Sequence, residues 1–161
     1  MAGLGFMPKE ETYEKASRLI NKAIELNPQL PEAHYGLAGV SYWYEWDFNK
    51  SIQHLNRAIQ LNSNFAPAYI HLSFHYSALK KFNKALEIIE IAIALDPFSS
   101  EVYFAKGHIY YSMEDYNTSI SILNICLELN PTNLFAIIIK ASCWLKQKKE
   151  FLVVEYFSSE V

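Results

Sequence analysis

Two histidines, His71 and His75, stand four residues apart. On a helix that spacing puts both imidazoles on one face, within reach of one metal ion. No carboxylate or cysteine with ligand spacing shares the stretch, so the pair reads as structural. Ser77 and Lys80 match Ser-x-x-Lys, a nucleophile-and-lysine spacing, but none of its companion motifs is present. Gly3-Leu4-Gly5 has no preceding strand and supports no nucleotide loop. Cys126 and Cys143 lie in apolar helical pattern without a Cys-x-x-Cys, and read as buried free thiols in a reducing compartment. Asn49-Lys50-Ser51 and Asn117-Thr118-Ser119 match the glycosylation sequon, yet both fall at the same turn of a repeat and read as turn residues. No acid–base pair and no nucleophile with a partner is visible. The expectation is a protein that is not an enzyme and carries no metal and no cofactor.

The chain has 161 residues, of which 51% are hydrophobic, 15% aromatic and 19% charged, with a net charge of −3. A small acidic excess argues against a general nucleic-acid binder, which would show a basic face. No apolar run reaches the roughly 18 residues of a membrane span. The start, MAGLGFMPKEE, lacks the basic region and long apolar segment of a secretion signal. These readings place the protein in the cytoplasm, off the membrane.

What positions the candidate residues is a repeat. Tyr69, Leu72, Tyr76 and Leu79 form one apolar helical stripe. Lys80, Lys81 and Asn83 break it. Ala85, Ile88, Ile89, Ala92 and Ile93 form a second stripe, which Asp96-Pro97 ends. The closing signal recurs as Leu26-Asn27-Pro28, Leu61-Asn62-Ser63, Leu95-Asp96-Pro97 and Leu129-Asn130-Pro131, with leucines 35, 34 and 34 residues apart. Small residues recur in register at Ala38, Ser73, Gly107 and Ala141, at Ala16, Ser51, Ala85 and Ser119, and at Ala23, Ala58, Ala92 and Cys126. A large column runs Ile20, Leu55, Ile89, Leu123, and a ring column Phe48, Phe82, Tyr116 and then Phe151. Alternating small and large columns let helices interlock closely.

A helix–turn–helix unit of this length with these positions resembles the tetratricopeptide repeat, best in Tyr69, Leu72, Tyr76, Phe82, Ala85, Ile89, Ala92 and Pro97. The resemblance implies an all-α fold, a right-handed α-solenoid of antiparallel helix pairs. It covers residues 1–161 as one array: a lead-in over 1–12, a half repeat over 13–28, complete repeats over 31–65, 66–99 and 100–133, and a partial or C-terminal repeat over 134–161. The first complete repeat has one extra residue, near Trp46-Asp47. Phe151 to Phe157 reads equally as a partner helix or a short extended piece. Ser63 stands where the family has proline, and Lys106 and Lys140 occupy a column that is Leu37 and Leu72 elsewhere. Their stems can lie along apolar surface. Trp144 shares a column with Tyr76 and Tyr110 and is expected in the core. Short motifs, Glu32-Ala33-His34, Tyr44-Glu45-Trp46-Asp47-Phe48 and the lead-in from Met7-Pro8, are similar to arrays in bacterial signalling proteins.

In such arrays the first helices of successive repeats line a concave face. By register this face carries Tyr35, Gly36, Gly39, Tyr42 and Trp43, then Ile70, His71 and Phe74, then Phe104, His108 and Tyr111, then Phe135 and Ile138. His75 leans towards the neighbouring unit. So many rings and branched chains suit an interaction scaffold gripping an apolar or amphipathic peptide segment, or another domain of its own full-length protein. Gly36 and Gly39 would let backbone approach. Alternatives are homodimer formation through the apolar C-terminal segment, and a small-molecule or peptide sensor domain of a bacterial regulator. A carboxylate clamp like that of chaperone-binding arrays is not implied. The matching positions, Tyr35, Gly39, His71, Pro67 or Glu101, and Ala105, supply no cation.

Overall fold

The computed structural model describes residues 9–159, and the lead-in before Lys9, with Gly3-Leu4-Gly5 and Met7-Pro8, lies outside the described residues. Those residues form nine helices and no strand: α1 (Lys9–Leu26), α2 (Pro31–Trp43), α3 (Phe48–Leu61), α4 (Ala66–Ala78), α5 (Phe82–Leu95), α6 (Ser100–Ser112), α7 (Tyr116–Leu129), α8 (Leu134–Lys146) and α9 (Glu150–Ser159). Two compact units result, Met1–Ala68 and Tyr69–Val161, with the boundary in the first turn of α4.

Local chemistry sets the helix ends. Asp47 and Asp115 cap α3 and α7, accepting from the backbone N–H of Lys50 at 2.9 Å and Thr118 at 3.1 Å. Asn133 caps α8 by accepting from Ala136 N–H, and Ser99 caps α6. Pro31 opens α2, where its missing N–H costs nothing. Between repeats, the side chains of Asn27, Asn62 and Asn130 accept from the N–H two residues on, at 3.0, 2.9 and 3.2 Å. This Asx turn lets Ser63 stand without the proline.

Inside each repeat the turn places one residue in the left-handed region: Trp46, Lys80, Glu114 and Lys148, at φ 55°, 57°, 65° and 58°. The next N–H folds back on the first helix, Lys81 to the Tyr76 carbonyl, Asp115 to Tyr110 and Lys149 to Trp144. In the first repeat the equivalent bond runs from Asp47 to Ser41, one residue farther. This is the extra residue expected near Trp46.

In the first unit α2 packs against α1 and α3. Ala38, Val40 and Ser41 of α2 meet a core with Ser51, Leu55 and Ala58 of α3. Gly36 is taken up inside the unit: a Cβ there would lie 3.0 Å from Ile20 of α1. In the second unit α6 packs against α5, α7 and α8, and α8 against α7 and α9. Its core is Ile88, Ile89 and Ala92 of α5, Val102, Ala105 and Ile109 of α6, Leu123 and Cys126 of α7, and Ala136 and Cys143 of α8. A buried polar chain crosses it. The Cys143 thiol donates to Ser119 Oγ at 3.4 Å, and Ser119 donates to the Gly107 carbonyl at 2.8 Å.

The segment Phe151 to Phe157 is helical, within α9. Phe151 departs from the expected ring column. α3, α5 and α7 start on Phe48, Phe82 and Tyr116, whereas α9 starts on Glu150, which leaves Phe151 one place late and 66% exposed. Trp144 is half-buried rather than in the core, because its ring stands at the α8–α9 contact, 5.7 Å from Tyr156.

Candidate interaction surface

The predicted site residues fall into two clusters, one in each unit. In the first unit, Tyr42 is half-buried near the end of α2, with its ring edge-on to Trp43 at 4.8 Å and to Phe48 at 5.2 Å. Trp43 is 58% exposed. Tyr35 is half-buried, edge-on to Phe65 at 5.4 Å. A Cβ built on Gly39 would meet nothing within 4 Å, so backbone is accessible on that side.

In the second unit the rings join into one path over the first helices. His71 meets Phe74 at 6.3 Å on α4. Phe74 meets Phe104 at 6.0 Å and His108, edge-on, at 5.3 Å on α6. Phe104 continues to Phe135 of α8 at 6.1 Å. His108 leads to Tyr111 at 6.5 Å, and Tyr111 to Tyr116 of α7 at 5.9 Å. Two of these six pairs are edge-on and four are tilted, so none is a face-to-face sandwich, the arrangement that aromatic rings favour least. Phe104 also packs on the core around Leu123, Cys126 and Ala136, so the path is anchored from below.

Two predicted residues stand apart from it. Ile70 is only 6% exposed and is a packing residue, with little side chain left for a partner. Ile138 is half-exposed on α8. Phe48 and Tyr116, which belong to the ring column and open α3 and α7, also join the clusters, because the end of a first helix lies beside the start of the second.

Burial favours the neutral form of the histidines on this surface. Burial pushes the His71 imidazole below its ordinary value, and the neighbouring His75 adds to the shift. Burial alone does the same to His108, whose Nδ1 is buried without a hydrogen-bond partner. His75 is buried, and its Nδ1–H donates to the His71 carbonyl at 2.8 Å, which ties that nitrogen to the backbone of its own helix. Among the described residues, no group of three or more His, Cys, Asp or Glu is placed to hold a metal ion. Ser77 is buried with its hydroxyl unpaired, while Lys80 is exposed in the turn. Burial pushes the Cys126 thiol up to about 11 and raises that of Cys143, so both stay protonated. No helix among the described residues is long and apolar enough to cross a membrane.

A family described as "Anaphase-promoting complex, cyclosome, subunit 3" matches residues 78–150. No curated protein matches the chain. Solved structures match along most of it. The chain is similar to a thermophilic TPR protein of Thermus thermophilus, at 22% identity over 85% of this chain and 75% of that one, with TM-score 0.76. It is similar to PilF of Pseudomonas aeruginosa, at 20% identity over 93% of this chain and 68% of that one, with TM-score 0.77. It is also similar to MamA of Desulfovibrio magneticus RS-1, at 16% identity over 94% and 85%, with TM-score 0.71. At these identities the likeness is one of fold. The protein has the tetratricopeptide-repeat fold, an all-α solenoid of helix pairs. That fold serves in general as a non-catalytic scaffold for protein–protein interaction.

Proposed function

We propose that the protein is a non-enzymatic cytoplasmic interaction module whose second unit grips an apolar or amphipathic peptide segment. The segment comes from a partner protein or from another domain of the same full-length chain. The continuous ring path from His71 through Phe74 and Phe104 to Phe135 carries this reading. A path of half-buried and exposed rings offers apolar anchors, which is how a few side chains come to dominate an interface. Neutral His71 and His108 allow apolar contact without burying a charge. Tyr111 supplies a hydroxyl that can fix the direction of a bound backbone. Tyr42 and Trp43, with open space at Gly39, form a second apolar contact in the first unit. Buried, protonated thiols at Cys126 and Cys143 suit a reducing compartment.

The test is fluorescence anisotropy with short labelled peptides, amphipathic ones against charge-matched scrambled ones. Saturable binding of the amphipathic set, lost in Phe104→Ala at unchanged helical circular dichroism, is the expected result. Equal binding of both sets, or binding that Phe104→Ala leaves intact, sinks the reading.

A further inference from the structure

Four side chains form one stripe along α6: Glu101, Phe104, His108 and Tyr111, at spacings of 3, 4 and 3 residues. Val102, Ala105 and Ile109 turn the other way and are buried in the core. Glu101 is exposed, and the other three are half-buried. From Glu101 to Tyr111 the helix rises about 15 Å, at about 1.5 Å per residue. Along that length the stripe offers a carboxylate, an apolar ring and two polar tips.

Both tips are donors. His108 Nδ1 is closed off from solvent without a partner. A proton there would be a buried donor with nothing to receive it, so the neutral ring carries its proton on Nε2, at its open edge. Among the described residues nothing bonds to that nitrogen or to the Tyr111 hydroxyl, and no ion pair holds Glu101. An apolar helix laid over these tips would seal them unpaired, since its carbonyls are taken by its own N–H groups. An extended chain keeps its carbonyls free. Those on one edge recur every second residue, about 6.4–6.8 Å apart. The His108 and Tyr111 rings are 6.5 Å apart, centre to centre.

We propose, on the peptide-gripping role given above, that this stripe takes an extended apolar segment of about five residues with a lysine or arginine at one end. Two main-chain carbonyls accept from His108 Nε2–H and Tyr111 O–H, and the cation meets Glu101. About five residues at about 3.3 Å each cover the stripe. Side chains leave an extended chain at right angles to its carbonyls and alternate between two sides. They fall towards Phe74 of α4 on one side and Phe135 of α8 on the other, the two rings that flank Phe104 at 6.0 and 6.1 Å. The occupant follows from charge: donor tips match carbonyl oxygens, and the open carboxylate matches a cation.

The experiment titrates the whole chain with two labelled peptides by fluorescence anisotropy. One is four valines with a lysine at one end, which favours the extended form. The other is an apolar, lysine-bearing peptide locked as a helix by α-aminoisobutyrate. The valine peptide is expected to bind at least about tenfold tighter, the helix leaving both donors unpaired. His108→Phe and Tyr111→Phe keep the rings, and each should weaken the valine peptide about fivefold while leaving the helical one unmoved. Glu101→Gln should weaken it about threefold, and not at all when norleucine replaces the lysine. Equal or tighter binding of the helical peptide, or valine-peptide affinity unmoved in His108→Phe or Tyr111→Phe, overturns the proposal. The groove itself survives that result if Phe104→Ala still abolishes helical binding, whereas binding of neither peptide overturns both. Where His108→Phe loses its helical circular dichroism, Tyr111→Phe alone decides.

Discussion

Ser119 of α7 donates its hydroxyl to the carbonyl of Gly107 on α6 at 2.8 Å, and Ser51 of α3 makes the same bond to Ala38 of α2 at 2.9 Å. Each bond satisfies a buried hydroxyl and brings two helices together where both side chains are small. At Gly107 the approach is closest. A Cβ there would stand 2.7 Å from Cγ and Cδ2 of Leu123, which is 0% exposed and has no solvent to retreat into.

Gly107→Ala is therefore expected to destabilise by about 1–3 kcal/mol, the cost of overpacking, despite alanine's helix preference. Gly39→Ala is its control. The same change there meets nothing within 4 Å and should stabilise by about 0.5–1 kcal/mol. Denaturant midpoints of the two variants should move in opposite directions. Midpoints that move together would mean that the helices slide to make room for the methyl.

The turns carry strain that single changes relieve. Lys80 sits at φ 57° with a Cβ, and a left-handed residue other than glycine costs about 1–2 kcal/mol. Lys80→Gly should recover part of this, about 0.5–1 kcal/mol after glycine's larger unfolded-state entropy. Lys81 follows at the N-cap of α5 with no side-chain cap, where Asp47 and Asp115 cap the equivalent helices. Lys81→Asp should add about 1 kcal/mol through the cap bond and the helix dipole. Thermal midpoints above wild type for both variants are the expected reading.

The repeat was legible because it is local. The Leu-Asn-Pro signal, the small columns and the inserted residue near Trp46 all act within one helix pair, and the Asp47-to-Ser41 bond shows the insertion directly. What the columns do not encode is who covers whom. Gly36 shares its helix face with Gly39, yet Ile20 fills the space at Gly36 and leaves that at Gly39 open. Ile70 neighbours His71 in the expected site but is buried as packing. Phe151 and Trp144 depart from their columns at the last helix pair, where the ring position falls on Glu150 with Phe151 one place later, and Lys140 lies over the Trp144 and Tyr156 rings. Periodicity predicts a face, and the partner on that face is settled by tertiary packing.

Acid should loosen the structure through its histidines. His54, His71, His75 and His108 all have imidazoles held below 6.5, with burial the first cause at each. A lowered folded value means that the unfolded chain binds more protons below pH 6.5, so stability rises with pH there. The thermal midpoint is expected to be flat from pH 8 to about 7 and to fall as pH drops through about 6.5 towards the lowered folded values. His108→Phe, which puts a ring where Nδ1 has no partner, should make that fall shallower. A slope unchanged by the substitution would take His108 out of the account.

The two ring clusters should separate binding from stability. Trp43 is 58% exposed and its described ring contact is with its neighbour Tyr42, so Trp43→Ala removes apolar surface at small structural cost. Phe74 touches Phe104 and His108 and is half-buried, so Phe74→Ala also opens a gap beneath the path. Loss of a half-buried ring should cost about 1–3 kcal/mol, below the range for a fully buried phenylalanine. Both variants should keep the helical circular dichroism signal at about 20 °C. The thermal midpoint should drop for Phe74→Ala and hold for Trp43→Ala. In the peptide titration Phe74→Ala should weaken binding at least about tenfold, the loss expected of an anchor residue. Trp43→Ala should weaken it less, because Trp43 lies outside the ring path. A Trp43→Ala loss equal to that of Phe74→Ala would move the main contact to the first unit. Unfolding of Trp43→Ala would make that ring a core residue and the surface assignment wrong.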